Sequence, residues 1–207
     1  MNCESLIFDI DGTLWDSRAL VAEGYNIQLR AEGLGHLCVT AEDLKPLFGK
    51  VMTEIADVIL ASIPESERYA LMDRCMETEN QYLHDNPCEI GFPGIRETVE
   101  KLSKKYRLFI VSNSQCGYPE LCIEKLGLTD YITGHLCFGD TGAEKGVTIR
   151  RLMEKYDIQN AAYVGDTQGD YEATVQAGIP FIFAAYGFGN PERWDAKIEK
   201  FEDLLAL

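Results

Sequence analysis

Four stretches of this 207-residue chain carry side chains whose types and spacing could do chemistry together. The first is Asp9-Ile10-Asp11-Gly12-Thr13-Leu14, two acids directly after an apolar run, with a glycine that lets the chain turn so that they converge. The second is Ser112-Asn113-Ser114, a hydroxyl followed by small polar residues whose backbone N–H groups can cradle an anion. The third is Lys145, which opens a helical segment after Gly142 and Glu144. The fourth is Gly165-Asp166-Thr167-Gln168-Gly169-Asp170, two more carboxylates running into a helix. Carboxylates gathered around one point repel one another and hold a hard divalent cation such as Mg²⁺. The cation neutralises phosphate oxygens while a lysine and a hydroxyl hold the rest. One carboxylate can then attack phosphorus in line, and a second can protonate the leaving oxygen and later activate water. Such a site hydrolyses phosphomonoesters.

Each piece alone has a plainer reading. An aspartate at a strand end is commonly a helix cap or turn former, Ser112 a loop residue, and Lys145 a solvated surface lysine. Together they make a site only if parallel neighbouring strands bring them to one crevice. Short apolar runs at Leu6–Ile10, Leu108–Val111, Leu136–Phe138, Ala162–Val164 and Phe181–Ala185 have the length of buried strands, and helical patterns separate most of them. That alternation predicts an α/β fold, a Rossmann-like parallel sheet core flanked by helices. The chemical residues then fall at the C-terminal strand ends, where open α/β sheets place their ligands.

Between Ser17 and Cys88 the texture changes to helical periodicity at Ala19–Ala31, Met52–Ala61 and Glu65–Leu83. Breaks fall at Gly33 and Gly35, at Pro46 and Gly49, and at Pro64, with Ser62 or Pro64 opening the third long helix. Pro87, Gly91, Pro93 and Gly94 mark the return to the core. The reading is a core of residues 1–15 and 89–207 interrupted by an all-helical cap domain of residues 16–88.

At these residues the chain resembles the haloacid dehalogenase superfamily, in its phosphoglycolate phosphatase-like branch with a helical cap inserted after the first motif. Asp9-x-Asp11-Gly12-Thr13-Leu14 matches the first motif, with Asp16-Ser17 suiting its usual ending. Ser112-Asn113 matches the second, Lys145 the third, and Gly165-Asp166-x-x-x-Asp170 the fourth. The resemblance implies Asp9 as nucleophile and Asp11 as general acid/base. It implies Mg²⁺ held by the Asp9 carboxylate, the Asp11 backbone carbonyl and Asp166, with Asp170 ligating or acting one bond further out. Ser112 and Lys145 would bind the transferring phosphoryl group, helped by backbone N–H groups around Asp11, Gly12 and Asn113. Phosphoglycolate and sugar phosphates are the first candidate substrates that the resemblance implies. Two departures stand out: Gly146 follows Lys145 where proline is common, and Trp15 replaces a smaller aliphatic. Gly49-Lys50 falls where related caps place a substrate-facing loop, so Lys50 is a candidate for reading a second anionic group.

Composition narrows the partners. Lys+Arg number 19 against 34 Asp+Glu, a formal net charge of −15, and a field of that sign repels nucleic acid and anionic membranes. The densest basic stretch, Lys101 to Arg107, lies on a predicted helix end and the following strand. No apolar run reaches the length of a membrane span, and Met1-Asn2-Cys3-Glu4 has no signal-peptide character. Seven scattered cysteines without a C-x-x-C pair fit reduced cytoplasmic thiols, and three histidines in no zinc pattern leave catalysis to carboxylates. The expected partner is a small phosphorylated metabolite, and the expected state a monomer or weak homodimer. A dehalogenase would need neither a metal nor a proton donor two residues on, so Asp11 and the Asp166/Asp170 pair count against it. A phosphomutase shares the acid/base and differs in keeping water from the aspartyl-phosphate. A phospho-acceptor receiver domain carries its phosphorylated aspartate on a later strand and has no helical insertion.

Overall fold

The computed structural model describes residues 3–207. The chain divides into two compact units, Met1–Asp16 with Ile90–Leu207, and Ser17–Glu89. Both junctions lie one residue later than the sequence reading places them. The outgoing and returning chains pair before they part: the Phe92 N–H donates to the Leu14 carbonyl at 3.1 Å and the Asp16 N–H to the Ile90 carbonyl at 2.8 Å. Those bonds keep Asp16 and Ile90 with the larger unit.

The larger unit is built on six strands, β1 (Ser5–Phe8), β2 (Arg107–Ser112), β3 (Ile132–Cys137), β4 (Ala161–Gly165), β5 (Phe181–Ala184) and β6 (Ala196–Ile198). They lie in the order β3-β2-β1-β4-β5-β6, each neighbouring pair parallel. The chain starts mid-sheet, runs outward through β2 and β3, then crosses back to β4 beside β1. The crevice of an open α/β sheet opens at such a reversal, beyond the strand C-termini. The central strands β1, β4 and β5 are buried at every residue, as apolar runs covered on both faces must be. Ile7, Phe109, Tyr163, Phe181 and Phe183 form one core cluster with Ile149 and Leu152.

Two edge strands differ from the sequence reading. β3 extends back to Ile132 and stops at Cys137, because its partly exposed residues carry no apolar signal and Phe138 already opens a helix. β6 escapes the reading altogether: it is three residues long and only Ile198 is buried.

The smaller unit is helical: α1 (Arg18–Ala31), α2 (Ala41–Leu44), α3 (Met52–Ile59) and α4 (Glu65–Asp85), with Pro64 rather than Ser62 at the N-cap of α4. Helices α1 and α4 are joined by the Arg74–Glu32 pair at 2.6 Å and by Thr78 donating to Gln28 at 2.9 Å. The larger unit adds α5 (Ile95–Leu102), α6 (Tyr118–Lys125), α7 (Phe138–Thr141), α8 (Lys145–Lys155) and α9 (Gln168–Ala177). Among the described residues no helix is long and apolar enough to cross a membrane.

Candidate active site

Strand register brings three motifs together. Phe8 pairs with Ile110 on one side and Val164 on the other, so Asp9, Ser112 and Asp166 all stand at the C-terminal ends of adjacent strands. The Asp9 N–H donates to the Val164 carbonyl at 2.8 Å, which carries the ladder one residue past β1 and fixes the Asp9 backbone. The chain then turns at once. Thr13 and Leu14 N–H groups donate back to the Ile10 carbonyl at 3.2 and 2.7 Å, and Gly12 N–H to the Trp15 carbonyl at 2.9 Å. Gly12 adopts φ +78°, and a Cβ there would run into the Asp166 carboxylate, so the turn requires glycine on both counts.

Helix α8 delivers Lys145 from its first position. Its Nζ lies 2.9 Å from Asp9 Oδ1 and 2.6 Å from Asp170 Oδ1, with all three side chains buried. Burial works against the ammonium charge, but Asp170 and Asp9 outweigh it and hold the lysine pKa above its usual value. The same helix explains Gly146. A Cβ at that position would meet the Gln176 side chain and lie 2.8 Å from the Ala173 carbonyl, so the close packing of α8 on α9 leaves no room for a proline ring.

Asp170 also takes part in a helix cap. Its Oδ2 accepts from Thr167 Oγ1 at 2.8 Å, Thr167 N–H at 3.0 Å and Asp166 N–H at 3.1 Å, closing a capping box with Thr167 at the start of α9. Its Oδ1 is left for Lys145.

Asp9, Asp166 and Asp170 place one carboxylate oxygen each within 4.8 Å of one another. Against one lysine, three ionised carboxylates leave an excess of two negative charges. The strain is visible in the acids. Burial, opposed by Lys145 and reinforced by Asp170 and Asp11, raises the Asp9 pKa to about 7, and burial with the Asp170 and Asp9 charges pushes Asp166 well above the carboxylate range. Asp166 Oδ2 accepts from Phe188 N–H at 2.6 Å and Gly189 N–H at 3.3 Å, whereas its buried Oδ1 has no hydrogen-bond partner. An all-oxygen cluster with surplus negative charge and an orphaned buried oxygen fits a hard divalent cation.

The sequence of residues 6–184 matches the family pattern described as haloacid dehalogenase-like hydrolase. The phosphoglycolate phosphatase of Agrobacterium fabrum is 33% identical over 193 residues, covering 88% of this chain and 80% of its own. The chain belongs to the haloacid dehalogenase-like hydrolases. It is thus an enzyme of a hydrolase family whose curated relatives are phosphatases by name, among them a pyrophosphatase, PpaX, of Listeria monocytogenes, 24% identical over 98% of this chain and 95% of its own. The fold agrees: the structure of a predicted phosphoglycolate phosphatase from Haemophilus somnus superposes with a TM-score of 0.83 at 20% identity, covering 99% of this chain and 97% of that one.

In this haloacid dehalogenase-like hydrolase, Asp9, Lys145, Asp166 and Asp170 meet in one buried cluster. Ser112 is buried at the neighbouring strand end, where its Oγ accepts from the Ser114 N–H at 3.2 Å, and Asn113 follows it in the same loop. Asp11 is held differently. Its Oδ1 accepts from Trp15 Nε1 at 2.8 Å and from the Tyr118 hydroxyl at 2.9 Å, and the two rings meet edge to face at 5.4 Å. Lys50 belongs to the helical unit, in the turn before α3, where it pairs with Glu54 at 3.2 Å.

Four contributors escaped the sequence reading. Tyr118 lies 107 residues from Asp11 and has no local signal. Tyr163 looks like an ordinary strand residue, yet its hydroxyl donates to the Val111 carbonyl at 2.8 Å and reaches Asp9 Oδ1 at 3.4 Å. The Phe188–Gly189 backbone holds Asp166. Tyr186 donates to the Thr13 carbonyl at 2.8 Å and so ties that loop to the turn after β1. The glycines at 187 and 189 were the one available hint.

Proposed function

We propose that this chain is a Mg²⁺-dependent phosphatase that hydrolyses a small phosphomonoester through an aspartyl-phosphate on Asp9. The observation that carries the reading is the buried convergence of Asp9, Lys145, Asp166 and Asp170 at the strand ends. The cation would be held by the carboxylates of Asp9 and Asp166 and the backbone carbonyl of Asp11, and when bound it supplies positive charge to the phosphoryl oxygens. Asp170 serves the site by holding Lys145.

Asp9 attacks phosphorus with a carboxylate oxygen as the bond to the leaving oxygen breaks. Asp11 gives its proton to that oxygen. Lys145 and Ser112, with the N–H groups of Asp11 and Asn113, bind the equatorial oxygens, where charge develops, whereas the Gly12 N–H, counted with them on sequence, is taken by the Trp15 carbonyl. In the second half Asp11 takes a proton from water, the water oxygen bonds to phosphorus, and the bond to Asp9 breaks to release phosphate. Trp15 and Tyr118 orient Asp11 throughout.

A phosphate group joined to a small carboxylate, as in phosphoglycolate, is the first candidate substrate, supported by the names of the relatives. The pyrophosphatase among them makes inorganic pyrophosphate the second. The net charge of −15 and seven scattered cysteines without a C-x-x-C pair support a cytoplasmic enzyme with no nucleic-acid or membrane partner, working as a monomer or weak homodimer. The test is Mg²⁺-dependent phosphate release from p-nitrophenyl phosphate, followed by a metabolite panel ranked by kcat/KM that includes phosphoglycolate and pyrophosphate. Asp9→Asn is expected to abolish turnover with an unchanged circular dichroism spectrum. Near wild-type activity in that variant would overturn the reading.

A further inference from the structure

We propose that Cys116, Cys137 and Asp140 form a binding site for a thiophilic divalent cation of the Zn²⁺ class, using none of the carboxylates around Asp9. Cys116 lies in the loop after β2, Cys137 closes β3, and Asp140 sits in the first turn of α7. Cys116 Sγ stands 3.7 Å from Asp140 Oδ1 and Cys137 Sγ 3.2 Å from Asp140 Oδ2. One ligand atom from each residue lies within 4.8 Å of the other two. Ligands bound to tetrahedral zinc at about 2.0–2.3 Å stand about 3.5–3.8 Å apart, so small rotations of these side chains bring them to coordinating distance.

The cluster is already organised by bonds that do not depend on a metal. Asp140 Oδ2 accepts from the Cys137 N–H at 2.8 Å, which fixes the carboxylate. The Gly139 N–H donates to the Ser114 carbonyl at 3.1 Å, and Cys137 Sγ to the Gln115 carbonyl at 3.5 Å, so the two loops are tied together. Cys137 is buried while Cys116 and Asp140 are exposed. Three protein ligands then leave a fourth position on the solvent side, for water.

Two thiolates and a carboxylate are a soft donor set, which selects Zn²⁺ where the all-oxygen cluster selects Mg²⁺. Binding releases both thiol protons to solvent. Burial, and hydrogen bonding to Asp140, raise the Cys137 thiol to about 12, and burial with the Asp140 charge raises Cys116 as well. Thiols so placed are poor nucleophiles for disulfide exchange, while the carboxylate that protects them draws a cation. A bound ion would clamp the loop that follows Ser112, which carries Ser114, to the end of β3.

The test is a Co²⁺ titration of the reduced, full-length protein in excess Mg²⁺, which occupies oxygen-only sites. We expect one Co²⁺ per chain, with a thiolate-to-cobalt charge-transfer band in the near ultraviolet and the visible bands of tetrahedral cobalt, both bleached by Zn²⁺. Cys116→Ser and Cys137→Ser should each lose the charge-transfer band, whereas Cys38→Ser, which changes another exposed cysteine, should keep it. Cys116 is exposed, so its variant carries the test if Cys137→Ser fails to fold. No charge-transfer band, a band that survives Cys116→Ser, or a Cys116–Cys137 disulfide formed under mild oxidant without any metal binding would each overturn the proposal.

Discussion

Asp11 is held by donors that arrive from two directions, Trp15 four residues on in its own turn and Tyr118 at the start of α6. A proton donor must meet the leaving oxygen in a defined orientation, and lost orientation matters most where the leaving group needs the proton. Tyr118→Phe keeps the ring against Trp15 and removes only the hydroxyl. It should lower kcat for an alkyl phosphate about tenfold, equivalent to ~1.4 kcal/mol, with little change in KM. Turnover of p-nitrophenyl phosphate, whose phenolate leaves unaided, should hardly change. Equal losses on both substrates would reduce Tyr118 to a packing residue. Asp9 supplies a second expectation. Its pKa of about 7 means that the ligand-free site carries a proton there in mildly acid solution. A cation must displace that proton and any held by Asp166, whose pKa burial and the neighbouring acids also raise, so Mg²⁺ affinity should rise with pH through about 7, with proton release on the acid side. Calorimetry in buffers of different ionisation enthalpy measures both. A pH-independent affinity would show that Asp9 is already ionised without metal.

Among the elements, the turn after β1 and the start of α9 do the positioning, and they differ in how plainly the chain announces them. Gly12, Asp166 and Asp170 could be found because each motif is local: an apolar strand, a turn residue, then an acid within a few positions. Lys145 could be found because it opens a helix after Gly142 and Glu144. The loop from Tyr186 to Gly189 could not, since its contribution to Asp166 comes from backbone N–H groups that any residue but proline provides. The edge strand β6 and the exposed part of β3 were hidden for the opposite reason: an edge strand needs little apolar surface, and periodicity reads only burial. The packing of α8 on α9 gives Gly146 a steric cause that spacing along the chain does not contain. Gly12→Ala tests the turn. Holding alanine at positive φ costs about 1–2 kcal/mol, and the methyl also displaces the Asp166 carboxylate. Urea denaturation should show at least that loss, together with weakened Mg²⁺ binding. A variant as stable and as tight for Mg²⁺ as the wild type would refute this account of the turn.

For the whole molecule, an α/β unit carries the acids and the lysine, and a helical unit is inserted between Asp16 and Ile90. We propose that the second unit contributes to substrate choice, with Lys50 as the residue that reads a second anionic group. Lys50→Ala should raise KM for a carboxylate-bearing phosphomonoester by roughly tenfold, about 1.4 kcal/mol, and leave p-nitrophenyl phosphate unchanged. No change for either substrate would return Lys50 to its exposed pair with Glu54. The phosphoryl group is expected to pass through Asp9, and the intact protein tests this directly. In Asp11→Asn the phenolate of p-nitrophenyl phosphate still departs, but water is no longer activated, so the acyl phosphate should accumulate. Borohydride reduces an acyl phosphate to the alcohol, and peptide mass mapping should then find homoserine at position 9 and unmodified aspartate at positions 166 and 170. Aspartate intact at position 9, or reduction at another carboxylate, would contradict the account.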